Sequence, residues 1–153
     1  MNTASIVKSY YTEALADIIY RPMSTESWAY PKGASEWNED GSSIAYTTET
    51  SEITALVESA GWKKGSDGIY AKNGERLKLT FTIAGESTDH PAYEMFQDAA
   101  KVLNTCGFDV TVTTDITALK KLATGGLAVW AAAWSSSIDP DPYQVYHKDS
   151  SAT

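Results

Sequence analysis

Residues 77–134 decide the fold and read LKLTFTIAGESTDHPAYEMFQDAAKVLNTCGFDVTVTTDITALKKLATGGLAVWAAAW. Three strand-like segments lie in this stretch, at 77–83, 108–112 and 127–133. Apolar and polar side chains alternate in the first two, which is typical of a strand with one buried face. The third segment lacks this alternation, so we expect a central parallel strand that is covered on both sides.

Two helical patterns separate these strands. The first is predicted to be capped within Ser87–Asp89, to carry Pro91 in its first turn and to end at Gly107. The second is predicted to be capped by Asp115 and to end at Gly125. Their expected inward faces are Tyr93, Phe96, Ala100 and Leu103 in the first helix, and Ile116, Leu119 and Leu122 in the second. Right-handed crossovers would join the three strands into one parallel sheet.

Upstream, the sequence predicts a helix capped by Ser51 and ended by a left-handed Gly61, followed by a hairpin over 69–83 that turns at Asn73-Gly74. The expected inward face of this helix is Ile53, Leu56, Val57 and Ala60. A further short helix is expected from a Thr3 cap to about Tyr11. The stretch 21–50 is rich in turn signals and aromatic residues, so it is predicted to be a long loop that packs onto something.

Composition limits the function. The chain has 153 residues, of which 42% are hydrophobic and 21% charged, enough for one domain of about 1–153 or a piece of a larger protein. The net charge of −8 argues against nucleic acid and anionic lipid as partners, because phosphate contacts need clustered Lys and Arg. The longest apolar run, Leu127–Trp134, is far shorter than the roughly 18–20 residues of a membrane-spanning helix.

The segment after the last strand is where a ligand would be expected, because open α/β sheets bind ligands beyond the carboxyl ends of their strands. Trp134 offers a flat apolar wall, Ser135–Ser137 offer hydroxyl and backbone N–H groups, and Asp139 and Asp141 offer negative charge. A polar surface turn explains the same residues equally well.

No catalytic set can be assembled from the sequence. His90 precedes a helix and is interpreted as a solvent-facing or capping residue, and Cys106 as a small apolar filler. Asp139, Asp141 and His147 would be the residues of a small α/β hydrolase or of a metal site, but their spacing is not that of a calcium loop. We therefore predict a protein that is not an enzyme and that holds neither cofactor nor metal. A protein-interaction domain that docks through the aromatic loop Trp28–Tyr46 is the other alternative.

The order of these segments resembles family 5 extracellular solute-binding proteins, the peptide- and nickel-binding receptors of ABC importers. The similar motifs, in chain order, are IV at 6–7, SWAY at 27–30, LVESAGW at 56–62, DGI at 67–69, NG at 73–74, LKLTF at 77–81, LNTCGFDV at 103–110, Trp134, and DPDP at 139–142. Each motif is weak alone, and the ordered set is specific.

The resemblance implies an α/β fold: a type II periplasmic-binding-protein-like lobe with a mostly parallel sheet, a β-hairpin and flanking helices. It further implies that the chain is a fragment of the C-terminal lobe of a longer protein, with a loop-rich part at 21–50, a core at 51–134 and an edge segment at 135–153. The implied partners are a peptide or other small solute, ABC permease subunits and the missing N-terminal lobe. The implied location is the extracellular face of the membrane or the periplasm, with a lipid anchor.

The resemblance also indicates site residues. Trp134 would line the cleft, Ser135, Ser136, Ser137 and Ile138 would offer main-chain hydrogen bonds to an extended ligand, and Asp139 completes the predicted set. Peptide-binding members carry an aspartate at the position of Ser137 for the peptide ammonium, and an arginine near Ala131–Ala133 for a carboxylate. A serine cannot make the charge-assisted bond, so either Asp139 stands in for it or the ligand lacks a free amine.

Overall fold

A computed structural model describes residues 3–11, 15–16, 18–30, 49–86, 88–133 and 141–150. The chain divides into two compact units, one of residues 47–132 and one of residues 2–46 together with 133–153. In chain order the described elements are α1 (Thr3–Tyr10), α2 (Thr50–Ser59), β1 (Lys63–Lys64), β2 (Tyr70–Lys72), β3 (Glu75–Arg76), β4 (Lys78–Ala84), α3 (Pro91–Cys106), β5 (Asp109–Asp115), α4 (Ala118–Ala123), β6 (Val129–Ala131) and α5 (Tyr143–Tyr146). None of the described helices is long and apolar enough to cross a bilayer.

The main sheet has three parallel strands in the order β5-β4-β6, which confirms the predicted parallel β-α-β-α-β arrangement. The chain moves from β4 to one neighbour and then crosses back to the other side of β4. Right-handed crossovers with this strand order place α3 and α4 on opposite faces of the sheet. The position of β6 corrects the sequence analysis: β4 is the central strand of the described sheet, and Trp130 of β6 is 46% exposed. An apolar run therefore did not mark the covered strand.

One face of the sheet and helix α3 form the core. Phe81 and Ile83 from β4 and Val110 from β5 are buried against Phe96 and Ala100 of α3. The Phe81 and Phe96 rings lie 5.0 Å apart at a tilt of 58°. Cys106 belongs to the same cluster, as its interpretation as an apolar filler requires. The opposite face carries the threonines that alternate with these residues, and Thr82 is the one that becomes buried.

The helix ends follow the predicted glycine chemistry. Gly61 after α2 and Gly107 after α3 are left-handed, with φ of +85° and +102°. The residue after each glycine closes the motif: the N–H of Trp62 donates to the carbonyl of Val57, and the N–H of Phe108 to that of Leu103. These bonds satisfy carbonyls that the last helical turn would leave unpaired.

The hairpin at Asn73-Gly74 is confirmed, but it is shorter than predicted. Strands β2 and β3 pair on either side of the turn, with Lys72 opposite Glu75, and β1 adds a third antiparallel strand that the sequence analysis missed. The second arm ends at Arg76, and Leu77 joins the hairpin to the main sheet: its N–H donates to the carbonyl of Tyr70 at 2.7 Å, and its carbonyl accepts from the N–H of Asp109 at 3.0 Å.

Two helix faces were predicted wrongly. Helix α2 begins at Thr50 with Glu49 as its cap and packs Ile53 and Val57 inward, whereas Leu56 is 71% exposed. In α4 the buried residue is Ala118, and the expected inward residues Ile116 and Leu119 are 67% and 65% exposed. A small side chain is therefore the one that faces inward in this short helix.

The second unit contains α1 and α5. Helix α1 confirms the predicted N-terminal helix and buries Ile6, although Thr3 is already helical and is not its cap. The described part of the predicted loop, 21–30, consists of turns, and the rest of that loop up to residue 48 lies outside the described residues. Tyr30 is buried, while Trp28 is 83% exposed, so the expected packing of the loop aromatics holds for one of these two.

Candidate functional site

The carboxyl ends of β4, β5 and β6 meet at one edge of the sheet, which we call the carboxyl edge: Ala84, Asp115 and Ala131. After β4 the chain continues into α3 on one face of the sheet, and after the neighbouring β5 it continues into α4 on the other face. A reversal of this kind opens a crevice at the strand ends, which is the usual ligand position in open α/β sheets. The N–H of Gly85 donates to the carbonyl of Asp115 at 3.1 Å and ties the two strand ends together.

The predicted ligand-binding segment starts at this edge. Strand β6 ends at Ala131, and Ala132 and Ala133 continue from it. Trp134, Ser135, Ser136, Ser137, Ile138 and Asp139 themselves lie outside the described residues, so their assignment as a binding site stays a prediction. The structure fixes the edge of the sheet from which that segment departs.

The side chain of Asp115, the last residue of β5, stabilises the loop that follows this strand. Its carboxylate accepts from the N–H and the hydroxyl of Thr117, both at 2.7 Å, and from Lys121 Nζ at 2.5 Å. The bonds from Lys121 and Thr117 lower the pKa of Asp115 from 3.8 to about 2. This carboxylate is therefore ionised, and its hydrogen bonds are made within its own loop. It does not cap α4 as predicted, since Thr117 occupies the cap position.

Ile116 is the residue at this edge that sequence reasoning missed. It follows the last residue of β5 and is 67% exposed, because the turn from Asp115 to Thr117 places it at the loop tip. An apolar side chain in this position can contact an apolar part of a ligand. The available signal was the Asp-Ile-Thr sequence, which forms a side-chain-to-backbone turn directly after a strand.

His90 lies in the connection between β4 and α3 and caps the helix. Its Nδ1 accepts from the N–H of Ala92 at 3.1 Å, and its backbone is extended. This confirms the capping interpretation of His90 and corrects the cap that was predicted within Ser87–Asp89. Because the ring nitrogen is occupied by the helix, His90 serves the local structure at the carboxyl edge.

The residues of the alternative hydrolase or metal site have local roles where they are described. Asp141 Oδ1 accepts from the N–H of Tyr143 at 2.9 Å. The ring of His147 stacks on Tyr143 with centroids 4.4 Å apart, and its Nδ1 accepts from the N–H of Asp149. Asp139 lies outside the described residues. Within the described ranges, no three His, Cys, Asp or Glu residues lie close enough to hold a metal ion together.

Residues 10–153 match the sequence model of the bacterial extracellular solute-binding proteins, family 5 Middle. The chain belongs to this family. The identification agrees with the ordered motifs and covers nearly the whole sequence. No match was found among curated proteins.

Solved structures share the fold of this family 5 chain. The oligopeptide-binding protein AppA from Bacillus subtilis, in complex with a nonapeptide, is 24% identical with a TM-score of 0.65, over 96% of this chain and 28% of AppA. An oligopeptide-binding protein from Thermus thermophilus, complexed with a pentapeptide, is 17% identical with a TM-score of 0.66, over 90% and 23% of the two chains. NikZ from Campylobacter jejuni, in complex with Ni(L-His), is 20% identical with a TM-score of 0.56, over 71% and 22%. The chain thus spans roughly a quarter of the length of these proteins, and the predicted type II periplasmic-binding-protein-like lobe is confirmed.

Proposed function

We propose that this family 5 chain forms one wall of a solute-binding cleft in an extracellular receptor, which delivers its solute to the permease of an ABC importer. The observation that carries the proposal is the family match over residues 10–153. The carboxyl edge supports it, because the exposed apolar residue Ile116 and the end of β6, from which the predicted binding segment departs, lie at the same edge of the sheet, with β4 between them.

The second wall of the cleft would come from a part of the longer protein that lies outside these 153 residues. Binding proteins of two lobes close on their ligand by a hinge motion that buries it between them. In this proposal the 153-residue chain is part of the C-terminal lobe, and the N-terminal lobe of the same protein supplies the remaining contacts with the ligand. The protein binds and releases without catalysis, at the extracellular face of the membrane or in the periplasm, with a lipid anchor on the longer chain.

Peptides are the proposed solutes. Two of the structurally similar proteins are oligopeptide-binding proteins in complex with peptides. The indole of Trp134 would stack on a peptide side chain, and the backbone of residues 135–138 would pair with the peptide backbone. Main-chain pairing with an extended peptide accepts many side chains, because it does not depend on them.

The first test measures peptide binding by calorimetry in the longer protein that contains this segment. Trp134→Ala should weaken binding by about tenfold or more, because loss of an aromatic contact costs roughly 1–2 kcal/mol or more. Leu56→Ala is the matched control: Leu56 is 71% exposed on α2, in the part of the helix whose Glu58 accepts from the Tyr70 hydroxyl of the hairpin, and binding should be unchanged. Equal affinities for Trp134→Ala and the wild type would contradict the predicted site.

The second test addresses the recognition of the N-terminal ammonium group of a bound peptide. Ser137→Asp should strengthen binding of a peptide with a free N-terminus by about tenfold or more, since a hydrogen bond to a charged group contributes about 1.5–3 kcal/mol. The N-acetylated form of the same peptide should gain nothing. A gain for both peptides, or for neither, would show that residue 137 does not face the peptide N-terminus.

A further inference from the structure

The tip of the hairpin consists of Asn73 and Gly74. Strands β2 and β3 are paired as far as Lys72 and Glu75, so these two residues form the whole loop. Both are left-handed, with φ of +53° at Asn73 and +86° at Gly74. Two positive φ angles in succession are those of a type I′ turn, whose twist matches that of the flanking strands. The pairing of Lys72 with Glu75 therefore depends on a loop of this exact length.

Two chemical groups at this tip have no hydrogen bond within the part of the chain that the structure describes. They are the carboxamide of Asn73 and the N–H of Gly74, and both residues are exposed. A Cβ added to Gly74 would meet no atom within 4 Å, so no neighbouring side chain shields its nitrogen. A bond from this nitrogen to the side-chain carbonyl carbon of Asn73 would close a succinimide ring.

Closing that ring requires a rotation about the backbone of Asn73, which the paired strands resist. The ladder next to the loop has two pairs, Ala71 with Arg76 and Lys72 with Glu75. Short, exposed pieces of structure open locally at a much lower free-energy cost than the whole molecule. The tip can therefore reach the conformation needed for ring closure while the rest of the chain stays folded.

Asn104 provides an internal comparison, because its carboxamide is held in place. Its Oδ1 accepts from the N–H of Val110 at 2.7 Å, and its Nδ2 donates to the carbonyl of Val110 at 3.1 Å. The next residue, Thr105, lies within α3, where the backbone N–H belongs to the helical hydrogen-bond ladder. Neither group needed for ring closure is available at Asn104.

We propose that Asn73 is a site of spontaneous deamidation. The backbone nitrogen of Gly74 loses its proton and attacks Cγ of Asn73, the bond from Cγ to Nδ2 breaks, and ammonia leaves with that proton. A solvent water then opens the succinimide: its hydroxyl bonds to one of the two ring carbonyl carbons, and its other proton returns to the nitrogen. Opening at Cγ gives aspartate, and opening at the backbone carbonyl carbon gives isoaspartate.

The products change the hairpin in two ways. Each adds a negative charge at the tip, and isoaspartate also inserts the side-chain methylene into the main chain. The longer loop no longer fits the pairing of Lys72 with Glu75. Because β2 also carries Tyr70, whose N–H donates to the carbonyl of Gly107 at 2.8 Å, loosening of the hairpin reaches the end of α3. The isoaspartate form should therefore be less stable than the unmodified protein.

The test is peptide mapping by mass spectrometry of the longer protein that contains this chain, after incubation in neutral buffer. Asn73 should convert to a mixture of aspartate and isoaspartate about tenfold or more faster than Asn104, because the two hydrogen bonds of Asn104 must break first. Asn73→Gln should abolish the conversion at residue 73, because glutamine must close a larger ring. The isoaspartate form, separated by ion exchange, should unfold at a lower urea concentration than the unmodified protein.

The comparison of two asparagines in one wild-type chain does not depend on the folding of a variant. Conversion of Asn73 no faster than that of Asn104 overturns the proposal. So does conversion to aspartate alone, because direct hydrolysis of the side chain yields no isoaspartate. An equal urea midpoint for the isoaspartate form would overturn the inferred effect on the hairpin.

Discussion

Gly107 offers the sharpest test of how the helix end and the hairpin fit together. A Cβ at this position would lie 2.8 Å from the backbone oxygen of Gly68 and 2.8 Å from Lys64 Cε. The lysine chain can move, whereas the carbonyl of Gly68 belongs to a closed turn, in which the N–H of Gly68 donates to Gly65. The carbonyl of Gly107 also accepts from the N–H of Tyr70 at 2.8 Å, so the two segments cannot simply separate.

Gly107→Ala should therefore be costly for two reasons. The left-handed backbone, at φ +102°, costs a residue with a Cβ roughly 1–2 kcal/mol. Overpacking against the carbonyl adds typically about 1–3 kcal/mol, which gives an expected loss of about 2–5 kcal/mol in the free energy of unfolding. Gly125 is the matched control: it is left-handed at φ +68°, follows α4 closely, and a Cβ added to it would meet no atom within 4 Å. Gly125→Ala should lose only the backbone part, about 1–2 kcal/mol.

Urea unfolding followed by circular dichroism measures both losses. The midpoint should fall further for Gly107→Ala than for Gly125→Ala, at an unchanged slope. Equal losses would show that the approach of Gly68 relaxes at no cost, and the reasoning from the 2.8 Å contact would be wrong.

Two further predictions concern the carboxyl edge. His90→Ala should lower the free energy of unfolding by about 1 kcal/mol. His90→Asp should keep the wild-type free energy of unfolding, because a carboxylate accepts from the helix N–H groups and suits the positive end of the helix. Identical thermal midpoints for the wild type and His90→Ala would refute the cap. Asp115 should make stability depend on pH, because Lys121 and Thr117 hold its folded pKa at about 2, below the usual 3.8. Its contribution is present above about pH 4 and is lost as the pH falls toward 2. Acid titration of Asp115→Asn, followed by the same thermal midpoints, should lack this part of the decline.

Local chemistry could be predicted from the sequence where one residue type decides the backbone. Gly61, Gly107 and Asn73-Gly74 each impose a left-handed conformation that few other residues accept, and all were placed correctly. The cap of α3 was less certain: the sequence predicted it within Ser87–Asp89 and left His90 as either solvent-facing or capping, and the structure places it at His90.

Packing could not be predicted in the same way. The spacing predicted Leu119 as an inward residue of α4, whereas the structure buries its neighbour Ala118 and leaves Leu119 65% exposed. The order of the strands is set by crossovers, which leave no mark on the composition of β6, so its apolar run suggested a central place that β4 holds. For the candidate site, the sequence indicated the carboxyl edge but not the exposure of Ile116, because the exposure of this apolar residue depends on a turn of three residues.

The burial of Cys106 has a practical consequence. It is the sole thiol of the sequence and is 4% exposed, at the end of α3 within the core. Thiol reagents react with accessible thiolates, so the native chain offers them almost no target. A single cysteine introduced beside the hairpin turn, for example Glu75→Cys in the exposed strand β3, would then carry a fluorophore at one defined place, with no need to remove the natural residue first.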